Sequence, residues 1–108
     1  MTDKELLELA AKAAGYTIEW DDASVWNPVI VNGDSEAYWN PLTSDSDALR
    51  LAVKLKMRIS IDALPIGYVV VLSDSPISKD IHEEIDDPYA ATRRAIVRAA
   101  AAIGQEMQ

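Results

Sequence analysis

The sequence predicts one domain over residues 1–108, of α+β class, with three helices on a mostly antiparallel five-stranded sheet in the order α-β-β-β-α-β-β-α. Three observations carry that reading. Three stretches place apolar residues at helical spacing behind a capping residue. Five shorter stretches alternate at a period of two or run continuously apolar. The turns between neighbouring strands are short, which favours antiparallel pairing with helices layered on the sheet.

The first helix spans about Asp3 to Ala14. Thr2 and Glu5 match the S/T-x-x-E capping box, in which two side chains satisfy orphan backbone donors. Leu6, Leu9, Ala10 and Ala13 form the inward stripe, Glu8 and Lys12 pair four apart on the wet side, and Gly15 supplies the left-handed stop. Tyr16 to Trp20 then alternates, with Tyr16, Ile18 and Trp20 on one face.

Val25 to Asn40 is expected to be a hairpin about Asn32-Gly33, the dipeptide that best tolerates positive φ in a tight turn. Trp26-Asn27-Pro28 recurs as Trp39-Asn40-Pro41. A two-residue turn places Trp26 opposite Trp39, and a longer loop breaks that pairing. Pro28 cannot donate to a ladder, so its strand is expected at an edge or a bulge.

The second helix spans about Asp45 to Lys56. Ser44 and Asp47 cap it, the acids sit at the positive end of its dipole, and Arg50, Lys54 and Lys56 lie toward the negative end. Ala48, Leu51, Ala52 and Leu55 face inward. Met57 to Asp62 alternates as a half-exposed strand. Ile66 to Leu72 follows a Pro65–Gly67 turn, and its unbroken apolar run suggests a central strand covered on both faces. Ser73 to Asp87 reads as a long acidic loop. The third helix opens on Asp87 as N-cap and Pro88 at the first position, buries Ile96, Ala99, Ala100, Ile103 and Met107, and weakens or ends at Gly104. Its Ala99–Ala102 run allows close approach to a neighbour.

Composition bounds the chemistry. With 49% hydrophobic and 26% charged residues the chain is ordinary for a globular domain, and a domain of this mass buries about 65% of its unfolded surface. There is no cysteine, which excludes disulfides, thiolate metal sites and cysteine nucleophiles. Met1 to Ala14 lacks the layout of a signal peptide and the longest apolar run is Tyr68 to Leu72, so the expected compartment is the cytoplasm. A net charge of −8 repels phosphate backbones and anionic membranes. Neither direct nucleic-acid binding nor membrane binding is expected.

Tyr38-Trp39-Asn40-Pro41-Leu42 running into Asp47-Ala48-Leu49-Arg50-Leu51-Ala52, together with Asp87-Pro88 and Ala91-Thr92-Arg93-Arg94-Ala95-Ile96-Val97-Arg98-Ala99-Ala100, resembles the phage ABA-sandwich domain, a family of short bacteriophage proteins akin to the NinX-like proteins. The similarity covers most of the chain. It implies an α/β/α sandwich and a phage or prophage origin, and it carries over no activity and no catalytic residue. The polar alternation of Met57 to Asp62 sits awkwardly with a sheet covered on both faces, which leaves a two-layer arrangement open.

His82, the single histidine, lies beside Glu83 and Glu84, but one imidazole without thiols lacks the ligand set of a zinc site or a triad. Asp45 and Asp47 lack the Gly and terminal Glu of a calcium loop, and capping accounts for them. No phosphate loop, dinucleotide fingerprint or nucleophile elbow is present, so no cofactor and no metal is expected. Two candidate binding features remain. Trp26, Tyr38, Trp39 and Asn40 form an aromatic hairpin that either lines a groove or packs beneath the second helix. Arg94 and Arg98, four apart, could join Arg50 to accept an anion, or could simply be solvated. The function these features suggest is a non-enzymatic accessory protein binding a host or phage protein. The alternatives are a module for a nucleotide-like small ligand and an acidic nucleic-acid mimic. The edge near Pro28 and the Ala-rich third helix are the two faces able to support a homodimer.

Overall fold

The computed structural model describes residues 2–20, 28–32, 37–62, 68–73, 80–84 and 87–107. They form α1 (Asp3–Ala14), β1 (Ile18–Trp20), β2 (Pro28–Ile30), β3 (Ala37–Tyr38), α2 (Asp45–Lys54), β4 (Met57–Asp62), β5 (Tyr68–Ser73), β6 (Asp80–Glu84) and α3 (Pro88–Glu106).

All three helices begin where their caps predict. The Thr2 hydroxyl accepts from the Glu5 N–H at 3.1 Å, the Ser44 hydroxyl from the Asp47 N–H at 3.3 Å, and the Asp87 carboxylate from the Tyr89 N–H at 3.0 Å. Gly15 ends α1 at φ 78°, in the left-handed region. Two ends differ from expectation. Helix α2 stops at Lys54, and Lys56 takes a left-handed φ of 55° that turns the chain into β4. Helix α3 runs through Gly104 to Glu106, because that glycine is a point of helix contact and not a stop.

The single five-stranded sheet is not what forms. Among the described residues six strands divide into two three-stranded antiparallel sheets, β1-β2-β3 and β4-β5-β6. The physical reason lies at β3, which offers two residues before Trp39 turns into the core and Asn40-Pro41 begins a turn. That is too little edge for β4 to join, so β4 pairs with its sequence neighbour β5 over six residues from Met57↔Ser73 to Asp62↔Tyr68. The expected acidic loop contains a strand, β6, whose His82 faces Val70 in register. Strand β5 is therefore central within this sheet, while the expected cover on both of its faces concerns side chains outside the described ones.

The hairpin register also differs. Val29 faces Tyr38 and Ile30 faces Ala37, and the Trp39 N–H donates to the Pro28 carbonyl at 2.9 Å. Pro28 thus takes the place opposite Trp39 that a two-residue turn would give to Trp26; Trp26 itself, like Gly33, the Pro65–Gly67 turn and Asp21-Asp22, lies outside the described residues. Nor is β2 an edge. It is flanked by β1 and β3, and Pro28 is tolerated as the strand's first residue.

The α/β/α sandwich is likewise replaced. Helices α1 and α2 both pack on α3 rather than across a sheet from it, and α3 lies against β5 and β6. Flanked in this way, α3 buries Ala91, Ala95, Ile96, Val97, Ala99, Ala100, Ala101, Ile103 and Gly104, a far wider face than one helical stripe. Small residues there let α1 come close, with Ala10, Ala11 and Ala14 opposite. Tyr16, Ile18, Trp20 and Ile30 bring the first sheet onto the same core. In the second sheet Met57 packs on the core while Arg58 is exposed, which suits a sheet with one wet face. The fold is a helix-rich α+β arrangement. Among the described residues no helix is long and apolar enough to cross a membrane.

Candidate functional site

The residues singled out in the hairpin separate once folded. Trp39 is 3% exposed and meets the Tyr16 ring edge-on, with centroids 5.7 Å apart at 72°. Its role is packing. Tyr38 points the other way and is 61% exposed, as alternation along a strand requires.

Asn40 organises the turn into α2. Its side-chain oxygen accepts from the Leu42 N–H at 3.0 Å, and its carbonyl accepts from the N–H groups of Thr43 and Ser44. Its own N–H donates to Asp47 Oδ2 at 2.9 Å. The capping of α2 therefore reaches beyond Ser44 to fix the whole Asn40–Ser44 turn. Asp47→Ala should strand the N–H of a residue that is 8% exposed and remove an acid from the helix N-terminus, costing about 2 kcal/mol in urea unfolding. Asp47→Asn keeps an acceptor and should cost less than half as much; equal losses would refute this role.

The arginines do not gather into an anion site. Arg94 pairs with Asp3 at 3.2 Å, tying α3 to the start of α1. Arg50 and Arg98 are exposed on different helices. Arg93, which was not among the candidate residues, reaches the α2 N-terminus instead. Its Nε donates to the Leu42 carbonyl at 2.9 Å and a terminal nitrogen meets Asp45 at 2.6 Å, with the arginine side chain 18% exposed. Helical phase places Arg93 there, a signal that charge counting passes over.

Among the described residues a concavity lies elsewhere. A groove of about 350 Å³ opens where the first turn of α1, the end of β1 and the Asn40–Thr43 turn meet. Its walls are Leu7, Trp20 and Leu42, and Asp3, Lys4, Asn40 and Thr43 supply polar atoms. The Trp20 indole N–H donates to Glu8 at 3.2 Å, and the Lys4 ammonium sits 5.3 Å from the ring centroid. Glu8 is thereby turned from its expected partner Lys12, which donates to the Met107 carbonyl. Those two contacts hold the indole in place as one wall, the kind of pre-ordered aromatic that anchors recognition. Of the candidate residues named from sequence, Asn40 alone among those described lines this groove. Trp20, Lys4 and Leu42 come from three separated segments, so no local motif announces them. Among the described residues no cluster of His, Cys, Asp or Glu is arranged to hold a metal ion. No protein-family model, no curated protein and no solved structure matches this chain.

Proposed function

We propose that this chain is a non-enzymatic accessory protein, of phage or prophage origin and acting in the host-cell cytoplasm, that binds a protein partner by accepting an apolar side chain into the Leu7–Trp20–Leu42 groove. The observation that carries the reading is the groove itself, apolar at its walls, polar at its rim and bounded by an indole held on two sides. An aromatic wall in a small pocket ringed by polar groups is the usual anchor geometry of protein recognition. Nucleotide-like ligands are less well served. Arg93 and Arg94 already face Asp45 and Asp3, and the groove's own Asp3 and Lys4 carry opposite charges.

The test is capture from a bacterial host lysate by the tagged chain, alongside Thr43→Trp, which fills the groove from its rim, and Glu106→Lys, a surface change at the end of α3. One protein should be retained by wild type and Glu106→Lys and reduced at least about tenfold by Thr43→Trp, while the variants unfold at the same urea concentration as wild type. Retention unaffected by Thr43→Trp, or no specific protein at all, overturns the proposal.

A further inference from the structure

We infer that β4 is a self-association edge, at which a second copy of this chain adds its own β4 antiparallel across a two-fold axis. Among the described residues no strand pairs with the outer side of β4, which is a terminal strand of its sheet. Terminal strands are normally guarded by proline, a bulge, short length or repelling charge, because their open N–H and C=O groups template pairing with another chain. The two ends of this sheet differ in that respect. Strand β6 carries Asp80, Glu83 and Glu84, so antiparallel self-pairing centred on any of its residues except Ile81 sets acid against acid. Strand β4 has six residues, an unbroken register with β5, no proline, and one charge of each sign.

The pattern of β4 is self-complementary. Residues in an antiparallel pair face each other only when their N–H and C=O groups point the same way, and these directions alternate along a strand. A two-fold pair must therefore centre on a residue facing its own copy. Centring on Ser60 sets Ile59 opposite Ile61 of the second copy and Arg58 opposite Asp62, each twice by symmetry. Centring on Ile59 leaves Arg58 opposite Ser60 and matches no charges within the strand. The Ser60-centred register is thus the one that complements charge while pairing isoleucine with isoleucine.

A second observation lies beside the same edge. Helix α2 packs on β4, yet Leu49 is 61% exposed, Val53 is 68% exposed and Ile59 is 38% exposed. Leu49 and Ile59 line one groove of about 230 Å³ between α2, β4 and the start of α3. Leu49 and Val53 are four apart and share a helical face. Joining two β4 strands makes one six-stranded sheet and brings the two α2 helices alongside each other, which covers these apolar side chains.

Sedimentation over a wide concentration range tests the inference. Wild type should pass from 11.8 kDa to twice that mass as concentration rises. Arg58→Asp and Asp62→Arg should each weaken association by about tenfold or more, since each sets like charges opposite one another. The double exchange Arg58→Asp with Asp62→Arg should restore it. Circular dichroism of each variant shows that the chain is folded in every arm, and Leu49→Glu provides a second disruption outside the strand. A monomer at every concentration overturns the inference. So does a dimer indifferent to the single reversals, and failure of the exchange to restore association overturns the register.

Discussion

Replacing Trp39 with alanine should destabilise the protein by about 3–5 kcal/mol, the range for removing a buried large aromatic. The indole is 3% exposed and is held from several directions. Tyr16 meets it edge-on at 5.7 Å, and Tyr16 is itself fixed by the Lys54 ammonium, 4.7 Å from its ring centroid. The backbone leaves little room for the cavity to collapse. The Trp39 N–H is tied to the Pro28 carbonyl, and Asn40 and Pro41, which follow it, are buried in the turn that begins α2. For a domain with roughly 5–15 kcal/mol of total stability, such a loss leaves a marginal fold. Trp39→Phe retains an aromatic ring against Tyr16 and should cost about half as much. Urea unfolding followed by far-ultraviolet circular dichroism reads both. A loss below about 1 kcal/mol for Trp39→Ala would show that the indole is not part of the core.

The helices were legible because their determinants are local. Thr2, Ser44 and the Asp87-Pro88 pair act within one turn of where they sit, and Gly15 ends α1 through its own backbone. The inward stripe of α2 likewise emerges as read, with Ala48, Leu51 and Ala52 buried. Strand partnership is a long-range property and was far less legible. Asp80 to Glu84 is acid-rich and low in strand propensity, so it reads as a loop, yet Tyr68–Leu72 supplies a ladder it can join. The hairpin register turned on the length of a loop, and a shift of that register exchanges Trp26 for Pro28 opposite Trp39. The division into two sheets followed from a two-residue β3, whose shortness no residue in Ala37-Tyr38 announces. The groove was hidden for a related reason. Asp3, Lys4, Trp20 and Leu42 meet only after α1 and the turn before α2 have docked on α3, whereas the aromatic hairpin that drew attention in the sequence is divided between core and solvent.

Gly104→Ala should destabilise by about 3 kcal/mol, although alanine is the better helix former by about 1 kcal/mol. The sign depends on the opposing helix. A Cβ built on Gly104 would overlap the Leu9 carbonyl oxygen and lie 2.8 Å from its carbonyl carbon and 3.2 Å from its Cα. All three are backbone atoms of α1, so no side-chain rotation relieves the overlap. The helices must move apart, and the separation weakens contacts along a seam of small residues that includes Ala10, Ala14, Ala99 and Ala100. Gly15 provides the control. Its φ of 78° disfavours any Cβ, but nothing lies within 4 Å of that position, so Gly15→Ala should cost about 1–2 kcal/mol through backbone strain alone. Asparagine tolerates the left-handed region and should recover part of the loss at Gly15. At Gly104, where volume is the constraint, it should do worse than alanine. Equal or raised stability of Gly104→Ala in urea would mean that helix propensity governs the position and that α1 and α3 do not approach this closely.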